Sequence, residues 1–202
     1  MKTIFPNEKT ERENYKLLIG SVIPRPIAFV TTLSEEGVVN AAPFSFFNIV
    51  SSNPPMLSVS VQRKNGIMKD TARNAVASKQ FVIHIVDEQN VPKVNDTAAN
   101  LPSNESEIEL AQLTLVDSVK VNTPGVAESK IRFECELVEA LPLGDGEQVG
   151  CDLLIGRVVA YHFDEEVYED GKIDPRKLGA ISRLAGNDYA KIGEIFTMER
   201  PQ

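Results

Sequence analysis

Lys69, Asp70 and Thr71 stand at the start of a short run of helix-forming residues and make a candidate anion-binding site. Asp70 or Thr71 can cap such a helix, and Lys69 adds a positive charge beside its first turn. A helix N-terminus offers free N–H groups and the positive end of a dipole, which together favour a phosphate. An ordinary helix cap would use the same residue types, so this segment alone leaves both interpretations open.

Two segments upstream are suited to the remainder of an elongated ligand. Residues 42–48 alternate aromatic rings with hydroxyl and amide groups, and Pro43 removes a backbone donor. We therefore expect this segment to leave the sheet and expose backbone groups. In residues 56–62 apolar side chains alternate with Ser58, Ser60 and Gln62, the period of a strand with one buried face. The order of the three segments suits a flat ring, a polyol and a phosphate in succession.

Two arginines are further candidates for a ligand contact. Two prolines hold Arg25 in an extended conformation, which suits either a salt bridge across a subunit contact or an approach to a ligand. Arg183 and Tyr189 stand beside small residues, so both could approach something flat, although both could equally be surface groups.

The histidines and cysteines do not form a pattern typical of catalysis. Neither His84 nor His162 has a second ligand at a recognisable metal-site spacing, so we interpret both as satisfied interior or interface residues. Cys135 and Cys151 occupy alternating apolar positions of predicted strands, which indicates reduced buried thiols.

The composition restricts the class of protein. The chain has 202 residues, enough for one domain with a substantial core, and we expect a single domain over residues 1–202. Its 29 acidic and 21 basic residues are interspersed and give a net charge of −8, which argues against a nucleic-acid partner. No apolar run approaches the roughly 20 residues of a membrane span, and the first residues lack a signal-peptide core. We therefore expect a cytoplasmic protein without a membrane partner.

The elements that must position these residues are mostly strands. A hairpin with a turn at Gly37 comes first, and a short helix is predicted over Asp70–Ser78. The other predicted elements are strands at 56–62, 80–86, 116–121 and 131–137, one or two helices within 88–112, a turn at 143–146 leading through Glu147–Gly150 to a long strand at 151–163, and a capped helical turn ending the 178–190 segment. Six or seven antiparallel strands with inserted helices indicate a small closed barrel.

Five segments together resemble the flavin reductase-like family of FMN-binding split barrels, in the branch with flavoredoxins and the reductase component of nitrilotriacetate monooxygenase. They extend over nearly the whole chain, and it is the combination that is specific. The segments are PRPIAFVTT (24–32), GVVNAAPFSFFNIVSSNPP (37–55), KDTARN (69–74), FVIHIV (81–86) and SRLAGNDYA (182–190).

The resemblance implies a mainly β protein with added helices, a six-stranded antiparallel Greek-key split barrel that forms a homodimer with FMN at the subunit interface. It assigns the isoalloxazine edge to Ala42, Pro43, Phe44 and Ser45, with Ser45 and Asn48 also near the ribityl chain. It further assigns the strand wall to Ser60 and Val61, the phosphate to Lys69, Asp70 and Thr71, and weaker contacts to Arg25 and Arg183.

The implied activity is an NAD(P)H-dependent FMN reductase, in which the nicotinamide gives hydride to flavin N5 and no side chain acts as acid or base. A GxGxxG motif after a strand is absent from the sequence, so NADH or NADPH is expected to bind transiently. The reduced flavin would be supplied to a partner monooxygenase. Two alternatives stay open: a flavoredoxin-type electron carrier with tightly bound FMN and a protein redox partner, and a barrel that binds flavin or haem without turnover.

Overall fold

The computed structural model describes residues 1–146 and 148–201, so Glu147 of the predicted 147–150 connection lies outside the described residues. The strands in chain order are β1 (Arg25–Pro26), β2 (Ala28–Leu33), β3 (Val39–Phe44), β4 (Phe47–Ser52), β5 (Pro55–Gln62), β6 (Gln80–Ile85), β7 (Leu115–Val116), β8 (Gly125–Val126), β9 (Ile131–Asp145), β10 (Gln148–Phe163), β11 (Tyr168–Glu169), β12 (Lys172–Ile173), β13 (Ile181–Arg183) and β14 (Tyr189–Lys191). The helices are α1 (Glu11–Ser21), α2 (Asp70–Ser78), α3 (Val91–Asp96), α4 (Glu107–Leu110) and α5 (Pro175–Leu178), preceded by a 3-10 turn at Pro6–Glu8.

Seven strands form one antiparallel sheet in the order β3-β2-β6-β9-β10-β5-β4. Its two end strands, β3 and β4, are separated in the chain only by Ser45 and Phe46. So short a link brings the two ends of the sheet together, and the sheet must curve to allow it. The Ser60 N–H donates to the Phe46 carbonyl at 2.8 Å across this corner. The predicted antiparallel barrel is thus confirmed, with seven strands rather than the six that the resemblance implies. The expectation of a closed barrel was wrong, because no ladder of the described chain joins β3 to β4.

Strand β2 lies between the two apolar clusters of the protein. Ala28 and Val30 face one cluster together with residues of β5, β6, β10 and α2. Phe29 faces the other, which includes Val94 of α3 and Ile108 of α4. Alternate side chains of a strand point to opposite faces, so a strand buried on both faces needs a run of apolar residues, which Ala28, Phe29 and Val30 provide.

Most predicted elements are confirmed. The hairpin turns at Gly37, whose φ is +83°, and α2 has the predicted bounds of Asp70 and Ser78. Strand β6 forms at the predicted 80–86 segment, and two helices, α3 and α4, occupy the 88–112 region. Both cysteines are free, and Cys135 is buried as predicted, but Cys151 is partly exposed, so its predicted burial was wrong.

Two predictions were wrong. The segment 116–121 forms no extended strand: β7 ends at Val116, and the following loop folds over the side chain of Glu134. The tail was expected to end in a helical turn, but β13 and β14 form a hairpin in which Arg183 is paired with Arg25 of β1. The tail forms strands because β13 pairs with β1, which is distant in the chain. Since β1 has only two residues, no local pattern in the sequence reveals this pairing.

Among residues 1–146 and 148–201, the structure has no helix of the length and apolarity needed to cross a membrane.

Candidate functional site

A groove of about 460 Å³ lies where α2 begins beside the end of β3. It is formed by the last residues of β3, the turn before α2, the first turn of α2 and the segment that follows α3. Six of the predicted ligand-binding residues line it: Ala42, Pro43, Phe44, Lys69, Asp70 and Thr71. The other described lining residues are Asn40, Lys64, Asn65, Ile67, Met68, Thr97, Ala98, Ala99, Asn100, Leu101 and Glu107.

The N-terminus of α2 faces this groove without a side-chain cap. Lys69 occupies the N-cap position in an extended conformation, and no side chain accepts a hydrogen bond from the first turn. Asp70, one of the two caps expected from the sequence, instead forms an ion pair with Arg73. The first backbone N–H with an acceptor within the helix is that of Arg73, which donates to the Lys69 carbonyl at 3.0 Å. The preceding N–H groups are therefore available to an anion.

Two lysines make this end of the groove positive. Burial, together with the positive charge of Lys64, lowers the pKa of Lys69 below the ordinary value for lysine. Neither lysine forms an ion pair with a residue that the structure describes. An anion bound between them would relieve this repulsion.

The floor of the groove is a buried hydrogen-bond network centred on Asn40. The Thr71 hydroxyl donates to Asn40 Oδ1 at 2.8 Å, and Asn40 Nδ2 donates to the carboxylate of Glu107 at 3.0 and 3.1 Å. The Ala41 N–H donates to the same carboxylate at 3.0 Å. Burial raises the pKa of Glu107, although the donors from Ala41 and Asn40 oppose that shift. The network joins β3, α2 and α4 beneath the site.

This network limits what Thr71 can offer a ligand. Thr71 is 2% exposed as a residue, and its single hydroxyl proton is directed to Asn40. The backbone N–H of Thr71, in the first turn of α2, is the group left for an anion. The predicted hydroxyl contact with a phosphate stays a prediction.

Strand β3 contributes a sheet edge to the groove. Because the Ala41 N–H points away from β2 to Glu107, the alternation of an antiparallel ladder directs the amides of Ala42 and Phe44 toward β2. Pro43, which has no N–H, falls on the outer edge, where proline is tolerated. The Ser45 hydroxyl, just past the strand, lies 3.5 Å from Arg25 Nε. The chain thus leaves the sheet only at Ser45 and Phe46. Residues 42–44 lie in β3 and residues 47–48 in β4, so the prediction that the whole 42–48 segment leaves the sheet was wrong for these five residues.

The described lining of the groove lacks six of the predicted ligand residues: Arg25, Ser45, Asn48, Ser60, Val61 and Arg183. Three of these lie on β4 and β5. Val61 of β5 is completely buried in the core, so only its backbone could meet a ligand. The Ser60 hydroxyl accepts a hydrogen bond from Gln62 at 3.1 Å. Asn48, exposed on β4, accepts a bond from the Ile49 N–H. Their contacts with a ligand stay predictions, as no structural feature brings them to the groove.

The two arginines are held by internal contacts. Arg25 is buried, and its guanidinium donates to the carbonyls of Ile19, Val22 and Leu184, which ties α1 to the segment after β13. Arg183 donates to the Gly186 carbonyl, and its guanidinium carbon lies 4.4 Å from the centre of the Tyr189 ring. These bonds give both residues a structural role, and contact with a cofactor stays a prediction for each.

The histidines take the structural roles expected of them. His84 is completely buried: its Nδ1 lies 2.9 Å from the Phe29 carbonyl, and its Nε2 accepts the Val126 N–H at 2.9 Å. These partners require the neutral ring with the proton on Nδ1. His162 Nε2 lies 2.6 Å from the buried carboxylate of Glu134. In the described part of the chain, no group of three or more His, Cys, Asp or Glu side chains could hold a metal ion.

Sequence reasoning missed several residues of the groove. Lys64 had a visible signal, because the following Asn65-Gly66 pair is typical of a two-residue hairpin turn that would fix its position. Asn40 and Glu107 are 67 residues apart, and nothing in the local pattern of either indicates that they bond. The same applies to residues 97–101.

Three comparisons with known proteins agree with this geometry. The family model described as a flavin reductase like domain matches residues 19–178. The uncharacterised protein YwrF of Bacillus subtilis (strain 168) is 52% identical over 198 residues, which cover 96% of this chain and 97% of YwrF. The crystal structure of nitrilotriacetate monooxygenase component B from Bacillus cereus superimposes with a TM-score of 0.97 at 59% identity, covering 98% of each chain.

The fold itself is shared with more distant proteins. A protein with a split barrel domain from Shewanella frigidimarina NCIMB 400 superimposes with a TM-score of 0.83 over 96% of both chains, at 20% identity. That likeness shows the architecture alone and confirms the predicted split barrel. Since the family model spans most of the described chain, the chain belongs to the flavin reductase-like domain family.

Proposed function

We propose that the groove binds FMN and that the protein is an NAD(P)H-dependent flavin reductase. One observation supports this most directly. The uncapped N-terminus of α2, Lys69 and the end of β3 meet in one groove. The groove therefore has a positive end for a phosphate and, beside it, a partly apolar strand edge for a ring system.

The chain's own residues account for the binding step. The first-turn N–H groups of α2 and the Lys69 ammonium would hold the phosphate by charge-assisted hydrogen bonds. Ala42, Pro43 and Phe44 would lie along the ring and exclude water from one side of it. The Asn40–Glu107 network holds these two elements in fixed relation, so the ring and phosphate positions are set before a ligand arrives.

When bound, FMN supplies the redox chemistry, in which its N5 accepts a hydride from NADH or NADPH. The protein's task is to place the two rings and to keep water out. We propose that the nicotinamide nucleotide is a transient co-substrate. The reduced flavin would then be supplied to a partner monooxygenase, a role supported by the Bacillus cereus relative, whose name is that of a monooxygenase component.

We also propose a homodimer. Several apolar side chains of the edge strand β4 and of the C-terminal segment are strongly exposed: Ile49, Val50, Ile195, Phe196 and Met198. An apolar sheet edge and tail of this kind are typical of surfaces that a partner covers.

The function is tested by an anaerobic absorbance scan of purified protein with FMN, before and after adding NADH and then NADPH. We expect bleaching of the visible flavin band at a rate that requires the protein. A bound flavin that neither nucleotide reduces would favour the flavoredoxin-type electron carrier instead. Absence of flavin binding would refute the site.

A further inference from the structure

Lys64 projects from a tight turn at the edge of the groove. Lys64 and Ile67 form two backbone hydrogen bonds, with the Lys64 N–H donating at 3.3 Å and the Ile67 N–H at 3.0 Å. Between them Asn65 and Gly66 have φ values of +54° and +74°. Two successive positive φ values are those of a type I′ turn, which Asn-Gly favours because neither residue resists the left-handed region. The turn therefore fixes the backbone that carries Lys64.

This turn stands on a buried ion pair. Arg63 donates to both carboxylate oxygens of Asp152 in β10, through Nε at 2.8 Å and Nη2 at 2.7 Å. The same guanidinium donates through Nη1 to the Gly66 carbonyl at 3.2 Å. The Arg63 N–H donates to the Gly150 carbonyl at 2.8 Å. Because the Asp152 side chain is 3% exposed, β10, Arg63 and the turn form one rigid support.

The rigid support formed by β10, Arg63 and the turn places the Lys64 ammonium, a second positive charge, at the groove. Lys64 and Lys69 both line the groove, and the charge of Lys64 acts on Lys69. Two ammonium groups with no described acidic partner, beside a bare helix N-terminus, match a ligand group that carries more than one negative charge. A phosphate monoester is such a group, since its second pKa is about 6.

We propose that Lys64 is a specificity-determining residue which, with Lys69, selects a flavin carrying a dianionic phosphate over an uncharged flavin. The proposal rests on the flavin-binding function above. Riboflavin shares the ring and polyol of FMN and lacks the phosphate, so the ratio of the two affinities isolates the contribution of the charged end.

The test compares dissociation constants for FMN and riboflavin, measured by fluorescence titration. We expect Lys64→Gln to weaken FMN binding by about tenfold while riboflavin binding is unchanged. Lys120→Gln is the matched control, because it removes the same charge from an exposed loop. Asn122 of that loop lies beside Ala77 and Ser78, at the end of α2 opposite to the groove. If Lys64→Gln left the ratio of the FMN affinity to the riboflavin affinity unchanged, the proposal would be overturned.

The role of the turn is tested with two glycines of equal geometry. Gly66→Ala forces a side chain into a φ of +74° with no atom within 4 Å of the new Cβ, so it disturbs the turn without a clash. Gly171→Ala does the same at a φ of +78° in the Asp170-Gly171 turn between β11 and β12. We expect the affinity for FMN, divided by the affinity for riboflavin, to fall in Gly66→Ala and to stay unchanged in Gly171→Ala. Equal ratios in both variants would contradict the positioning role.

A titration with inorganic phosphate separates this inference from the flavin function. In the wild type we expect phosphate to shift the backbone amide NMR signals of residues 64 and 69–72, and in Lys64→Gln the shifts should be strongly reduced. A wild type that binds neither flavin would refute the proposed function, and the phosphate shifts would then decide the role of Lys64 alone. Absent shifts, or equal shifts in Lys64→Gln, would overturn it.

Discussion

Lys69 and Thr71 are two residues apart, but they serve the groove in different ways. The Lys69 ammonium faces the groove without a described ion-pair partner, whereas the Thr71 hydroxyl is turned inward to Asn40. Loss of the lysine should therefore affect ligand binding, and loss of the hydroxyl should affect the fold.

The two single variants separate these effects. Lys69→Gln should weaken FMN binding by about tenfold without lowering the free energy of unfolding, because it removes a charge held beside another positive charge. Thr71→Val should lower that free energy by about 1–2 kcal/mol, because Asn40 Oδ1 loses its 2.8 Å donor. Fluorescence titration and urea unfolding measure the two quantities. A stable Thr71→Val variant with impaired FMN binding would show instead that the hydroxyl contacts the phosphate.

His84 makes a prediction about pH. Burial lowers its pKa from 6.5 to about 3, with the charges of Arg132 and His162 acting in the same direction. The unfolded chain protonates this ring below about pH 6.5 while the folded state keeps it neutral. The contribution of His84 to stability is therefore complete above pH 6.5 and is lost as the pH falls toward 3.

The comparison uses His84→Gln, which keeps a donor and an acceptor but does not titrate. Between pH 7 and pH 5 the wild type should lose about 2 kcal/mol more unfolding free energy than the variant, measured by urea denaturation. Parallel losses would mean that the ring takes up its proton in the folded protein over the same pH range as in the unfolded chain. His162 is present in both proteins, so its contribution to the pH dependence of the unfolding free energy cancels when the two are compared.

At the scale of elements, α2 was predictable and the tail hairpin was not. The bounds of α2 follow from local signals, since its residues favour a helix and its buried face needs only neighbours three and four positions away. Strands β13 and β14 depend on β1, over 150 residues earlier in the chain. In β9, Glu134 is fully buried under the amides of residues 119–121, which lie outside the strands that pair with β9.

Gly156 of β10 packs closely against the core side chains of the neighbouring strands. A Cβ on Gly156 would clash with the Phe81 ring and lie 3.0 Å from the Cys135 Cβ. Gly156→Ala should therefore lower the unfolding free energy by about 1–3 kcal/mol through overpacking. Gly150→Ala in the same strand is the control, because its Cβ would meet only the Leu143 carbonyl at 3.8 Å. Equal thermal unfolding of the two variants would contradict the close approach of β10 to β6.

At the scale of the whole molecule, the exposed edge of β4 bears on the proposed homodimer. Ile49 is 74% exposed at the end of the seven-stranded order. Burying a cluster of such side chains against a second copy would remove apolar surface from water and satisfy the free strand edge. The prediction of one domain over residues 1–202 belongs to this scale too, and it stays a prediction.

Light scattering after size-exclusion chromatography tests the dimer. The wild type should have twice the mass of one chain. The Ile49→Glu variant should have a mass closer to that of one chain, because the new carboxylate would lose its hydration at the interface. Val119→Glu, at a loop residue of similar exposure (70%), should leave the mass unchanged. A dimer unaffected by Ile49→Glu would place the subunit contact away from β4.

The sequence by itself determined the strand alternation, the helix after Lys69, the turn at Gly37 and the family resemblance. The first three are local signals, because strand and helix periods and turn preferences depend on neighbouring residues. The resemblance instead depends on five segments spread along the chain. Only the tertiary structure decided that Thr71 turns inward to Asn40, that Glu107 closes the floor of the groove and that Arg63 supports Lys64 from Asp152. The bonds made by Asn40 and Asp152 join residues 31 to 89 positions apart, and these partners become neighbours only once the sheet has curved.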